Sequence, residues 1–146
     1  MACTAHTFDE PMCVLCHRIN LDVLFQMLQG ECKDLKTVCN GLQAVEEFRD
    51  SGPYDLAILD VHMPVMGGEE AAAWIRELNS TVPILFLSEE FASEMHDYNE
   101  LFSPCEVLIK PFSKSELLEV SMMSQVVMQF SVSMCRLPCT ISFHFH

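Results

Sequence analysis

Cationic side chains are scarce in this chain: eight Lys and Arg stand against 21 Asp and Glu, a formal net charge of −13. Phosphate contacts need Lys and Arg, so nucleic-acid binding is excluded as the main activity and basic protein partners are favoured. No uninterrupted apolar run approaches the roughly 18 residues that mark a membrane span, and no membrane partner is expected. The opening MACTAHTFDE has neither a basic stretch nor an apolar core, so it does not read as a secretory signal. An intracellular setting is therefore expected, cytoplasm or nucleus, where cysteines stay as thiols. Glycine is sparse, with five residues, and there is no Gly/Ser linker, Pro-rich linker or internal repeat. Acids also run out: beyond Glu119 the only formal charge is Arg136, which marks the one compositional boundary.

What is present suits a globular domain. The 146 residues are half apolar and one fifth charged, enough for one domain with a real core. The eight cysteines are spread along the chain, which favours buried small apolar residues over a disulfide framework. Residues 1–11 read as an irregular lead-in, 12–128 as the domain and 129–146 as an atypical or disordered tail. Strands are expected at 12–15, 35–39, 56–59, 83–87 and 107–109. Helical spacing of apolar residues fills 19–29, 42–49, 69–78 and 93–102, and a last helix starts at Ser115. Strand and helix alternate five times, the pattern of a doubly wound α/β sheet.

The centre of the chain is YDLAILDVHMPVMGG, residues 54–68. Four apolar residues, Leu56 to Leu59, suit a strand buried on both faces. They run into Asp60, and a carboxylate at the carboxyl end of such a strand lies where open α/β sheets bind ligands. Ser88 and Lys110 fall at the ends of the next two strands. One such residue alone would read as a cap or a solvated side chain. Three strand ends with this spacing point to a functional site in which Asp60 can act as a nucleophile.

Asp60, Met63, Pro64 and Gly68, with Lys110-Pro111-Phe112 fifty residues after Asp60, resemble the receiver domain of two-component response regulators. The wording DVHMP is similar to plant receivers. The resemblance covers about residues 12–128 and implies a five-stranded parallel sheet in the flavodoxin-like order 2-1-3-4-5. It implies that Asp60 accepts a phosphoryl group in a His-to-Asp phosphorelay, with Ser88 and Lys110 binding phosphoryl oxygens and a cis bond before Pro111. The implied partners are a histidine-containing phosphotransfer protein or histidine kinase and an output partner protein. In a plant, cytokinin signalling would be the pathway. The implied cofactor is Mg²⁺, held by Asp60, the backbone carbonyl of His62 and an acidic pair after strand 1.

That pair is where the sequence departs from the family. An ungapped alignment puts Leu15 and Cys16 there, and neither offers oxygen to a hard ion. The alternative is Asp9 or Glu10, because Phe8-Asp9-Glu10-Pro11 resembles the family's Asp-Glu-Pro after strand 1, and it would put the first strand before Phe8. Glu89 follows Ser88 where a small residue is usual, and its charge opposes an incoming phosphate. The aromatic residue expected three before Lys110 is Val107. These departures motivate an alternative reading, a pseudo-receiver that binds partners without being phosphorylated. Enzymatic activity is not expected. A haloacid-dehalogenase-type hydrolase would need a second Asp where His62 stands.

Two further motifs carry their own chemistry. Cys13-Val14-Leu15-Cys16-His17 has the C-x-x-C-H spacing of haem attachment and of a redox pair; its bland reading is a strand edge with two thiols. Cys135, Cys139, His144 and His146 are a ligand set zinc would accept, at a spacing that fits no common finger.

Overall fold

The computed structural model describes residues 8–15, 21–79, 81–89, 95–121 and 123. Five strands form one parallel sheet in the order β2-β1-β3-β4-β5. They are β1 (Phe8–Leu15), β2 (Cys32–Val38), β3 (Ala57–Asp60), β4 (Ile84–Ser88) and β5 (Cys105–Ile109). The crossovers are α1 (Leu21–Leu28), α2 (Gly41–Ser51), α3 (Gly68–Leu78) and α4 (Met95–Phe102), and residues 114–121 form α5. The sheet is the flavodoxin-like fold that the resemblance implies.

β1 starts at Phe8, earlier than expected, so the irregular lead-in does not extend to residue 11. Its pairing with β2 slips between Phe8 and Pro11, where Pro11 has no N–H to give the ladder. The 129–146 tail, Cys16, His17 and the four tail ligand candidates lie outside the described residues. Cys13 lies in a strand flanked on both sides, pairing with Lys36 of β2 and Ala57 of β3, rather than on a sheet edge.

Alternation along the central strands builds two apolar layers. Ala57, Leu59, Ile84 and Phe86 face Phe48, Ala71, Ala72, Ile75 and Phe102, from α2, α3 and α4. Leu56, Ile58, Leu85 and Leu87 face Leu24 and Leu28 of α1 and Leu117 of α5. Because both faces of β3 and β4 are covered, their sequences are apolar runs rather than alternating ones.

The caps follow local rules. Asn40 caps α2 by accepting from the Gln43 N–H at 2.9 Å, while the Gln43 side chain accepts from the Cys39 N–H at 2.9 Å. Gly30, just past α1, sits at φ 85°, where a glycine costs nothing. Ser113 and Glu116 cap α5 reciprocally: Glu116 accepts from the Ser113 N–H at 2.7 Å and the Ser113 hydroxyl accepts from the Glu116 N–H at 3.2 Å.

Arg76, on α3, locks the sheet's amino edge. Its guanidinium donates to the carbonyls of Phe102 (2.8 and 3.0 Å), Pro104 (2.8 Å), Val82 (2.6 Å) and Asn79 (3.2 Å). One side chain thus ties the end of α4 to the approaches of β4 and β5. Burial pushes its pKa down. Beside it, Tyr98 packs edge-on against Phe86 at 4.9 Å and its hydroxyl donates to the Glu69 carboxylate in the first turn of α3.

Candidate functional site

The register of the sheet places the site. Asp60 pairs with Leu87 and Ser88 pairs with Ile109, so Asp60, Ser88 and Lys110 stand at the carboxyl ends of three adjacent strands, each one register step beyond the one before. Two backbone bonds hold the ends together: the Val61 N–H donates to the Leu87 carbonyl at 3.0 Å, and the Lys110 N–H to the Ser88 carbonyl at 2.7 Å. The Lys110–Pro111 peptide bond is cis.

Asp60 is 2% exposed, a buried carboxylate at the rim of the apolar sheet. A buried charge is tolerated only when it is paired and hydrogen-bonded. Both conditions are met. Oδ2 lies 2.5 Å from the Lys110 ammonium, and Oδ1 accepts from the His62 N–H at 3.0 Å. Asp60 and Lys110 are far apart in sequence and paired in space, which is what a charge-stabilised phosphoacceptor requires.

The loop after β3 has little freedom. Gly68 opens α3 directly over Asp60, and any side chain there would strike the Asp60 carbonyl oxygen. Its N–H donates to the Val61 carbonyl at 3.1 Å. Val65 takes φ 68°, closed by the Met66 N–H donating to the Pro64 carbonyl at 2.8 Å, a strained turn for a β-branched residue. The His62 side chain is exposed, as expected of alternate positions on an extended loop.

The acidic substitute does not reach the site. β1 runs so that Leu15 pairs with Leu59, one step from Asp60. Asp9 and Glu10 lie at the opposite, amino end of β1, roughly 20 Å back along the strand. Asp9 is therefore corrected as a metal ligand: the segment expected to follow strand 1 is part of it. Leucine at position 15 offers no oxygen. Among the described residues no three His, Cys, Asp or Glu side chains form a group able to hold a metal ion. Among the described residues, the donor set at the ends of β1 and β3 is one carboxylate, already paired with Lys110, plus backbone carbonyls. Such a set does not fit Mg²⁺, which wants several hard oxygens and two or more negative charges.

A cavity of about 550 Å³ adjoins the site, lined by Val23, Leu24 and Met27 of α1, by Glu89, and by Lys110, Pro111 and Phe112. The sequence signal for it was α1 itself, whose pattern leaves Val23 and Phe25 exposed as well as Leu24 and Leu28 buried. Val107 packs partly buried against the aromatic layer of Phe86 and Tyr98. Arg76 and the Tyr98–Glu69 bond are supports of the fold that sequence reasoning missed. Neither follows from spacing.

The response regulator receiver domain family model matches residues 14–121. The chain belongs to the response regulator receiver family. Rice two-component response regulator ORR42 is 30% identical over 102 residues, covering 70% of this chain and 75% of that protein. Rice ORR41 is 38% identical over 79 residues, covering 53% of this chain and 62% of that protein. The chain therefore spans less than two thirds of ORR41. The receiver domain of the Pseudomonas aeruginosa sensor kinase PA1611, solved with magnesium in its active-site cleft, superimposes with a TM-score of 0.70 at 23% identity, over 80% of this chain and 98% of that one. At that identity the likeness shows the fold. The chain is thus a receiver of two-component signalling with plant response-regulator relatives, and receivers work with histidine kinases or phosphotransfer proteins and with output partners. Among the described residues no helix is long and apolar enough to cross a membrane.

Proposed function

We propose that this receiver accepts a phosphoryl group on Asp60 from a phosphohistidine of a phosphotransfer protein or histidine kinase. The observation that carries this reading is the 2.5 Å pairing of a buried Asp60 with Lys110 across adjacent strand ends. In the transfer, a carboxylate oxygen of Asp60 attacks phosphorus in line, an O–P bond forms and the P–N bond breaks. The imidazole leaves and takes a proton from solvent. Lys110 is placed to balance the charge carried by the phosphoryl oxygens, and Ser88 to donate its hydroxyl to one of them. The His62 N–H keeps the carboxylate oriented. The donor set described at the end of β1 does not fit Mg²⁺, so transfer relies on Lys110 and Ser88 and is expected to be slow for a receiver.

The chain works as a phosphoacceptor and not as an enzyme on small substrates, so assays with small phosphoesters should read blank. Similarity to rice response regulators supports a role in a plant phosphorelay, with cytokinin signalling as the pathway. The test is incubation with a phosphorylated phosphotransfer protein and with a small acyl phosphate. A hydroxylamine-labile label on the wild type, absent from Asp60→Asn, supports the reading; an equal label on both, or none on either, overturns it.

A second reading is favoured by the missing acids at β1, by Glu89 and by Val107: a pseudo-receiver that binds its partner without phosphorylation. It expects partner affinity to be the same for the wild type and Asp60→Asn after exposure to the phosphodonor. A difference between the two removes it.

A further inference from the structure

We propose that Glu89 is a specificity residue: it selects phosphodonor proteins that carry a cation beside the apolar ridge of their docking helix, and it turns away small anionic donors. The inference rests on the relay reading of Asp60 and adds the chemistry of the partner.

The cavity beside the site has apolar walls from Val23, Leu24, Met27, Pro111 and Phe112, and two charges, Lys110 and Glu89. The Lys110 ammonium is engaged by Asp60 at 2.5 Å. No described cation forms an ion pair with Glu89. Among the described residues, the free charge at the mouth of this groove is therefore negative. Its position is set by register: Leu87 pairs with Asp60, and Glu89 comes two residues later. That is roughly 7 Å along the chain, slightly more than the 5.4 Å pitch of a helix.

A donor helix that lays an apolar ridge into the groove and brings its histidine to Asp60 would hold a residue one turn away over Glu89. A lysine or arginine there meets an opposite charge against apolar walls, where Coulomb attraction is stronger than in open water. An acyl phosphate arriving alone brings like charge to the same carboxylate and nothing to offset it. Charge also argues against a second copy of this chain as the occupant, since each copy carries −13.

The probes are a histidine-containing phosphotransfer protein with a lysine one turn from its histidine, the same protein with that lysine changed to glutamate, and acetyl phosphate. Binding of the unphosphorylated probes is measured by titration calorimetry, and labelling separately. Glu89→Gln should weaken binding of the lysine probe about two- to fivefold, the range of an exposed ion pair. It should raise the labelling rate from acetyl phosphate by a similar factor. Glu89→Lys should bind the glutamate probe better than the lysine probe, reversing the wild-type order. Binding of the lysine probe unchanged or improved in Glu89→Gln, no binding of either probe, or self-association lost in Glu89→Gln would each overturn the proposal. If binding depends on Glu89 but Asp60 takes no label, the relay reading falls and the specificity surface stands. If Asp60 is labelled and binding ignores Glu89, the reverse holds.

Discussion

The two halves of the sheet's carboxyl edge are built to different standards. On the β3–β4–β5 side, a buried carboxylate, a hydroxyl-bearing residue and an ammonium stand at neighbouring strand ends, with backbone bonds fixing their register. On the β1 side, the strand ends in Leu15, beside the same carboxylate, and its only acids sit at the far end. The first half provides charge balance and orientation; the second would provide metal. Their separation in the sheet makes the pairing of the Asp60 carboxylate independent of what ends β1. Among the described residues one half stands without the other, and Asp60 needs Lys110 simply to remain buried as a charge.

Breaking the intact half should have the largest effect. Lys110→Met should lower labelling of Asp60 by roughly a hundredfold or more, the size seen when one charge-stabilising donor is lost. It should also destabilise the fold by about 3 kcal/mol, because the nearly buried Asp60 carboxylate loses its partner. Adding Asp60→Asn to that variant should recover much of the stability and none of the labelling. A double-mutant cycle by urea unfolding reads this directly.

The amino edge gives the next effect. Arg76→Met leaves the carbonyls of Phe102, Pro104 and Val82 without their donor and should cost roughly 2–4 kcal/mol, read as a fall in the urea midpoint. Building the absent half sharpens the comparison from the other side. Leu15→Asp places a carboxylate one step from Asp60 in the register and should tighten Mg²⁺ binding roughly tenfold or more over the wild type, measured by calorimetry.

The smallest effect is electrostatic and lies at α5. Hydrogen bonds from the Ser113 N–H and its hydroxyl hold the Glu116 carboxyl below the usual range. A carboxyl depressed in the fold stabilises above its ordinary pKa and loses that contribution as pH falls through the folded value. The stability gap between the wild type and Glu116→Gln should therefore narrow between about pH 7 and about pH 3, followed by thermal unfolding.

Most of the sheet was legible because its strands are apolar runs punctuated by turns: Leu56–Leu59 into Asp60, and PILFL before Ser88. The three site residues were legible because each directly follows such a run. Only the start of β1 was misread, since residues 12–15 lie within it. FDEPMCVL alternates poorly and carries Pro11, so strand pairing with β2 and β3 decided its start where local pattern could not. Asp9 entered the site by a separate route, the likeness of Phe8-Asp9-Glu10-Pro11 to an acidic pair that follows the first strand. Arg76 was invisible for a different reason: its partners are backbone carbonyls brought together only by the finished fold. The groove beside α1 was half legible, since exposed Val23 and Phe25 break the two-sided pattern of an amphipathic helix.

The central claim is that Asp60 is the acceptor. After incubation with a phosphodonor, borohydride reduction converts an aspartyl phosphate to homoserine, and tandem mass spectrometry locates it. The account predicts homoserine at position 60 and at no other aspartate. Phosphate found on another residue, or an unmodified Asp60 in a chain that carries label, would contradict it.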